Sequence, residues 1–362
     1  MEKKIFRTTS PKNPHEDRPT AGHCMRFKEE NLRIEVQQVR DMSEAEIIGG
    51  NTTLLAMKNP TSFLIGTSTK GLKLIEQGAQ IYSARFPGHP GALTEIVYID
   101  SLDSYLLAYD SQIYRKDIDY HPPYLFLDHS CGLVPGASFR YSSLSEKLII
   151  SLYSNHIGVV DLRRKQVEIA IQKMRLEMIQ DLTLFGEKNN KVAYITYGGK
   201  INVYSFNFKL RKLYGRSSLG LGFIGDQRVF GKSLAVCKQN QYIFVCLRTG
   251  YPNGSCRIVM IKIKGRALIR QSTVNEWDQN LNMRLSVEFW GRVGKHLIWV
   301  GLTRLSGFFH LYDYNTESGV MKELVEKRAK HQVSQPLKFV QLGEYFYYSG
   351  KLGLISKLSI RI

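Results

Sequence analysis

The chain has 362 residues, 43% of them hydrophobic, which is enough to bury a substantial core and excludes disorder throughout. Its longest apolar runs, such as Leu297 to Leu302, are far too short to span a bilayer. Fifty Lys and Arg against 32 Asp and Glu give a net charge of +18, which points to acidic or anionic partners and says nothing about fold.

Residues 1–30 carry Pro11, Pro14 and Pro19 among many charges, without any period, and read as an extended or disordered arm. The opening MEKKIFRTTSPKN has charge but no apolar stretch, so no secretory signal is expected. NLRIEVQQV (31–39) reads as a strand. From there to residue 362 helical periodicity is scarce. The best helical rival, 166–181, contains VEIAI, which also suits a strand, as its neighbours do.

Seven times the chain reads strand, tight polar turn, strand. The instances are TSFLIGTSTKGLKLIEQG (61–78), SYLLAYDSQIYRKDI (104–118), KLIISLYSNHIGVVDL (147–162) and KVAYITYGGKINVYSF (191–206). QYIFVCLRTGYPNGSCRIVMIKI (241–263), KHLIWVGLTRLSGFFHLYDY (295–314) and EYFYYSGKLGLISKLSI (344–360) complete the set. The second strands start near 71, 112, 157, 200, 257, 307 and 352, and TGYPNGSC accounts for the longest step. Weaker strands flank each hairpin. LTEIVYI (93–99), SLAVCK (233–238), RLSVEFW (284–290) and LKFVQL (337–342) precede hairpins, while QIYSARF (80–86) and RALIRQS (266–272) follow them. Four strands per unit at a period of roughly 40–45 residues predict an all-β, seven-bladed propeller over 31–362. The last unit has no room for a fourth strand before Ile362, and 31–39 has no blade of its own. The N-terminal strand is therefore expected to complete the last blade and close the ring, leaving no edge at the seam.

The period and blade layout resemble those of the WD40-type β-propellers. Gly88-His89 before an inner strand and Asp110 in the following turn carry part of the likeness. Asp161 in GVVDL and Asp313 in LYDY end second strands where that family has Trp-Asp. The literal Trp277-Asp278 sits in a polar loop, so the family's His–Ser/Thr–Asp–Trp network is expected to be partial. The resemblance implies a fold and an interaction platform, and it implies no chemistry. Phosphoinositide-binding propellers offer a second likeness, because Leu162-Arg163-Arg164-Lys165 resembles their Phe/Leu-Arg-Arg-Gly motif with Lys165 in place of the glycine.

GLGFIGDQRVFGKS (220–233) nearly overlays three nucleotide signatures. Gly220, Gly222 and Gly225 spell G-x-G-x-x-G, but the next segment reads as a strand and no Asp or Glu occurs between Asp226 and Glu276. A P-loop needs glycine at the position of Asp226, whose charge would face phosphate. A kinase needs H-R-D and D-F-G, and neither occurs. The expectation is a glycine-rich connection between blades four and five, able to meet an anion only as a surface contact through Arg228 and Lys232.

Five scattered cysteines without C-x-x-C place the chain in a reducing intracellular compartment, cytoplasm or nucleus. The nine histidines form no H-E-x-x-H, and His121, His129 and Cys131 read as plain loop residues, so no metal and no cofactor are expected. No G-x-S-x-G or paired-carboxylate motif is visible, and no catalytic residue is named. The expectation is a non-enzyme, with a site in the propeller funnel as the enzymatic alternative.

The charge is concentrated. Between Lys188 and Asn275 there are sixteen basic residues and one acidic residue, Asp226. Aromatic residues such as Tyr204, Phe206 and Tyr214 are interleaved. In IKIKGR the two lysines share a strand face and are expected to stand outward together. The polyanion set is Lys209, Arg211, Lys212, Arg216, Arg228, Lys232, Lys262, Lys264, Arg266 and Arg270, with KLRKLYGR and IKIKGR expected to form one patch across neighbouring blades. The reading is a non-enzymatic scaffold that holds other protein subunits of a complex and contacts RNA or another polyanion. A peripheral propeller on an anionic membrane is the alternative.

Overall fold

The computed structural model describes residues 33–40, 53–67, 71–85, 93–109, 112–127, 139–142, 146–151, 157–162, 166–170, 179–186, 191–207, 212–221, 223–224, 227–237, 242–249, 256–274, 285–303, 308–328, 339–349 and 355–361. Among them there is no α-helix, and the strands form seven antiparallel sheets.

Strand β1 (Arg33–Arg40) comes first. Blade I is β2 (Thr53–Asn59), β3 (Ser62–Thr67), β4 (Gly71–Glu76) and β5 (Ala79–Arg85). Blade II is β6 (Leu93–Ile99), β7 (Ser104–Tyr109), β8 (Gln112–Asp117) and β9 (Tyr124–Leu127). Blade III is β10 (Phe139–Ser142), β11 (Lys147–Ser151), β12 (Ile157–Asp161) and β13 (Gln166–Ala170). Blade IV is β14 (Ile179–Phe185), β15 (Lys191–Thr196), β16 (Lys200–Asn207) and β17 (Lys212–Gly220). Blade V adds the short β18 (Phe223–Ile224) to β19 (Gln227–Cys237), β20 (Tyr242–Thr249), β21 (Cys256–Lys264) and β22 (Ala267–Val274). Blade VI is β23 (Leu285–Val293), β24 (His296–Thr303), β25 (Phe308–Asn315) and β26 (Met321–Arg328). Blade VII is β27 (Val340–Leu342), β28 (Tyr345–Ser349) and β29 (Ile355–Arg361), with β1 as its fourth strand. The pairing runs from Arg33 opposite Arg361 to Arg40 opposite Ile355, so the N-terminal strand closes the ring as expected.

Second strands such as β3, β7 and β15 are buried on both faces, which is why they read as continuous apolar runs and not as an alternation. Tyr105, Leu107 and Tyr109 pack toward blade I, while Leu106 and Ala108 pack toward blade III. Ile149 faces blade IV, whereas Leu148 and Ile150 face blade II. Each of the apolar clusters therefore joins two adjacent blades, and Leu55, Met57, Phe63 and Ile65 of blade I meet Tyr347 and Ile355 of blade VII across the seam. The densest aromatic packing lies between blades V and VI, where Trp299, fully buried, meets Phe244 and Phe289 at ring-centre distances of 5.3 and 4.9 Å. First strands adjoin first strands, β2 with β6, β6 with β10, β10 with β14, β14 with β19 and β19 with β23. They line the ring axis, and the fourth strands form its rim. The architecture is a seven-bladed β-propeller.

The 220–233 segment differs from the connection read in the sequence, because it is largely strand. Gly220 ends β17, Phe223 and Ile224 pair with Arg228 and Gln227, and β19 runs on through Gly231-Lys232-Ser233. The register shifts between Gly231 and Ser233, a bulge that lets Val229 and Phe230 still pair with Thr249 and Arg248. A phosphate loop opens onto a helix N-terminus, and an antiparallel ladder has none. The arm at 1–30, Gly88-His89, Asp110, Trp277-Asp278, His129, Cys131 and Arg163 to Lys165 lie outside the described residues.

Candidate functional site

Charged side chains link four successive blades near the axis. Glu95 stands on β6, Arg140 on β10 and Asp181 on β14. Arg140 Nη1 lies 3.8 Å from Glu95 Oε2, and its Nη2 donates to Asp181 Oδ1 at 3.2 Å. The other carboxylate oxygen of Asp181 accepts from the backbone N–H of Leu234 on β19 at 3.1 Å. Blades II, III, IV and V are thus tied by polar contacts whose geometry is fixed by buried strands. The arrangement is an architectural clamp, since each charge already has an opposite neighbour. The members are one blade period apart in the sequence, and a charge recurring in successive first strands is the signal that would have found them.

Two hairpins carry the aspartates that align with the Trp-Asp position. Asp161 pairs with Lys147, directly opposite across β11 and β12. Asp313 accepts from or shares a proton with His296 Nδ1 at 2.7 Å, and burial raises its carboxyl pKa against the pull of that imidazole.

The basic set falls in several places. Lys264, Arg266 and Arg270 are exposed at the β21–β22 turn and along β22, on the rim of blade V. Lys262 does not stand outward with Lys264. It is half-buried, with its ammonium 5.5 Å from the centre of the ring of Tyr242, its cross-strand partner on β20. Lys212 and Arg216 lie on β17, the rim strand of blade IV, which adjoins β22. Lys212 and Arg216 thus stand on the rim strand next to β22, whereas IKIKGR lies on the middle strand β21 and the turn that leads into β22. Arg228 and Lys232 lie on β19, three strands in from β22 and roughly 14 Å away at the usual strand spacing. Lys209 and Arg211 lie outside the described residues.

A different surface was not legible in the sequence. Lys116 on β8 is completely buried, and its ammonium donates to Asp117 O at 2.6 Å, Asp119 O at 2.7 Å and Asp119 Oδ1 at 2.9 Å. Its charge also lies 4.7 Å from the centre of the Tyr82 ring in blade I. The lysine staples the turn after β8, from which Tyr120 projects with 73% of its surface exposed. Among the described residues no group of His, Cys, Asp and Glu could hold a metal, and no helix is long and apolar enough to cross a membrane.

No family model matches the chain, and no curated protein matches it. Among solved structures, one chain of the S. cerevisiae complex of a Dbp5 variant with Nup159, a Gle1 variant, IP6 and ADP aligns with a TM-score of 0.60. The alignment covers 92% of this chain and 96% of that one at 11% identity. The fold is WD40-like. In the WD40-like propeller the rim of blade V carries the exposed Lys264, Arg266 and Arg270, the axis carries the Glu95–Arg140–Asp181 clamp, and blade II carries the stapled turn.

Proposed function

We propose that this propeller is a non-enzymatic scaffold within a larger assembly, holding other protein subunits and meeting RNA or another polyanion through the rim of blades IV and V. The observation that carries the reading is the charge distribution, sixteen basic residues to one acidic residue between Lys188 and Asn275. Lys264, Arg266 and Arg270 are exposed within that stretch, and the adjoining strand β17 bears Lys212 and Arg216. Rigid blades that present many loops suit a protein with several partners. The solved chain it resembles belongs to a multi-protein complex that also contains IP6, and this agrees with the reading.

A polyanion is the appropriate partner class because clustered Lys and Arg displace condensed counterions from phosphates, and that release supplies most of the non-specific affinity. The test replaces Lys264, Arg266 and Arg270 with Glu in the full chain and measures binding to a labelled single-stranded RNA and to anionic liposomes. Loss of RNA binding in the variant, with an unchanged melting temperature, supports the reading. Wild-type binding to liposomes and not RNA would assign the rim to a membrane surface instead. Binding of neither probe would leave a protein-only scaffold.

A further inference from the structure

Rim strands of a propeller are exposed edges, and proteins usually blunt such edges with charge. Six of the seven fourth strands here obey this, from RIEVQQVR at β1 to MKELVEKR at β26. The exception is β9, whose sequence YLFL contains no charged and no polar side chain apart from the tyrosine hydroxyl. Phe126 and Leu127 are buried, but Tyr124 and Leu125 are 42% and 47% exposed, and no described strand pairs with the outer edge of β9.

The surroundings are built and not frayed. The Lys116 staple fixes residues 117–121, and the His121 N–H donates to Asp119 Oδ1 at 3.0 Å. Tyr120 packs on the His121 ring at 4.1 Å between centres, and the Tyr124 hydroxyl donates to Asp117 Oδ2 at 3.3 Å. Two exposed tyrosine rings and a leucine therefore stand in fixed positions beside a strand edge that no described strand covers. The charge is also opposite to that of the molecule. Residues 93–127 hold six acidic and two basic residues in a chain of net charge +18.

We propose that the β9 edge of blade II docks an extended segment of a partner protein, apolar at alternate positions and carrying Lys or Arg, which pairs as a fifth strand. Backbone hydrogen bonds to β9 supply the register. Apolar side chains of the segment cover Leu125 on one face of the blade, and its alternate cations, on the other face, meet Asp117 and the rings of Tyr124 and Tyr120. Tyrosine rings suit such an anchor because they bury a large area at small entropic cost.

The test pans a displayed library of random dodecapeptides against the full chain, and against a Tyr124→Lys/Leu125→Lys variant. A second variant, Tyr120→Ser, changes only an exposed ring and keeps the fold. Enriched peptides should alternate apolar and basic residues. They should lose about tenfold or more in affinity for each variant, and they should slow amide exchange at 124–127. Peptides that bind both variants undiminished, peptides rich in acid, or no enrichment at all would overturn the proposal. So would a wild-type dimer in sedimentation that the double variant dissociates, because the occupant would then be a second copy of this chain.

Discussion

Arg140 Nη2 lies 3.2 Å from Asp181 Oδ1 while Nη1 lies 3.8 Å from Glu95 Oε2, so one guanidinium sits between the first strands of both flanking blades. Glu95 and Asp181 are largely buried, with side chains 7% and 14% exposed. Removing the cation leaves two desolvated carboxylates facing the same gap. Arg140→Met should cost about 2–4 kcal/mol in denaturant unfolding, towards the lower end because the arginine itself is partly solvated. Arg140→Lys should recover only part of the loss, because an ammonium cannot span both carboxylates as the planar fork does.

Ring closure predicts a second effect. Strand β1 supplies the outer edge of blade VII by pairing along β29. A chain that begins at residue 53 should leave β29 as an open edge, melt at a lower temperature and aggregate on standing. A synthetic peptide of residues 33–40 added in trans should raise the melting temperature of the truncated chain.

Gly66 stands at a close approach between blades I and II. A Cβ built on it would lie 2.2 Å from Leu93 Cδ2 and 2.7 Å from Ile96 Cδ1, both side chains being buried in the same cluster. Gly66→Ala should destabilise by about 1–3 kcal/mol through overpacking, and Gly66→Val by more, in thermal or denaturant unfolding.

Buried tyrosines set the alkaline limit. Burial pushes the Tyr314 hydroxyl up to about 12, with Tyr242 adding to the shift, and burial raises Tyr105 and Tyr109 as well. The folded chain keeps these phenols protonated, whereas the unfolded chain ionises them near pH 10. Their contribution to stability is therefore complete below about pH 10 and is lost as pH rises toward about 12. The phenolate absorbance contributed by these buried tyrosines should rise together with the loss of strand circular dichroism in one cooperative step. Titration of all tyrosines before any loss of structure would contradict this.

The hairpins were legible because turn residues punctuate apolar runs at a nearly constant period. Third strands begin at Gly71, Gln112, Ile157 and Lys200 as read, and at Cys256, Phe308 and Ile355 within a few residues of the reading. What escaped was whatever depends on which blade stands beside which. Lys116 lies in a segment read only as a hairpin strand, yet its ammonium meets two backbone carbonyls, the Asp119 carboxylate and the Tyr82 ring. Lys262 looked outward because alternation names a face and cannot say that the Tyr242 ring of the neighbouring strand lies beside the ammonium. Arg140 lies 41 residues from Asp181, a separation that conveys contact only once the blades are closed into a ring. The length of β19 was hidden by Gly231 and Lys232, which resemble a loop and form a bulge.

The proposed polyanion contact at the rim of blades IV and V is tested most sharply by the salt dependence of binding to single-stranded RNA. Log K should fall linearly with log salt, with a slope of roughly −0.7 per phosphate engaged. Lys264→Glu/Arg266→Glu/Arg270→Glu should flatten that slope while leaving the melting temperature unchanged. A slope near zero, or one that the triple variant leaves intact, would contradict it.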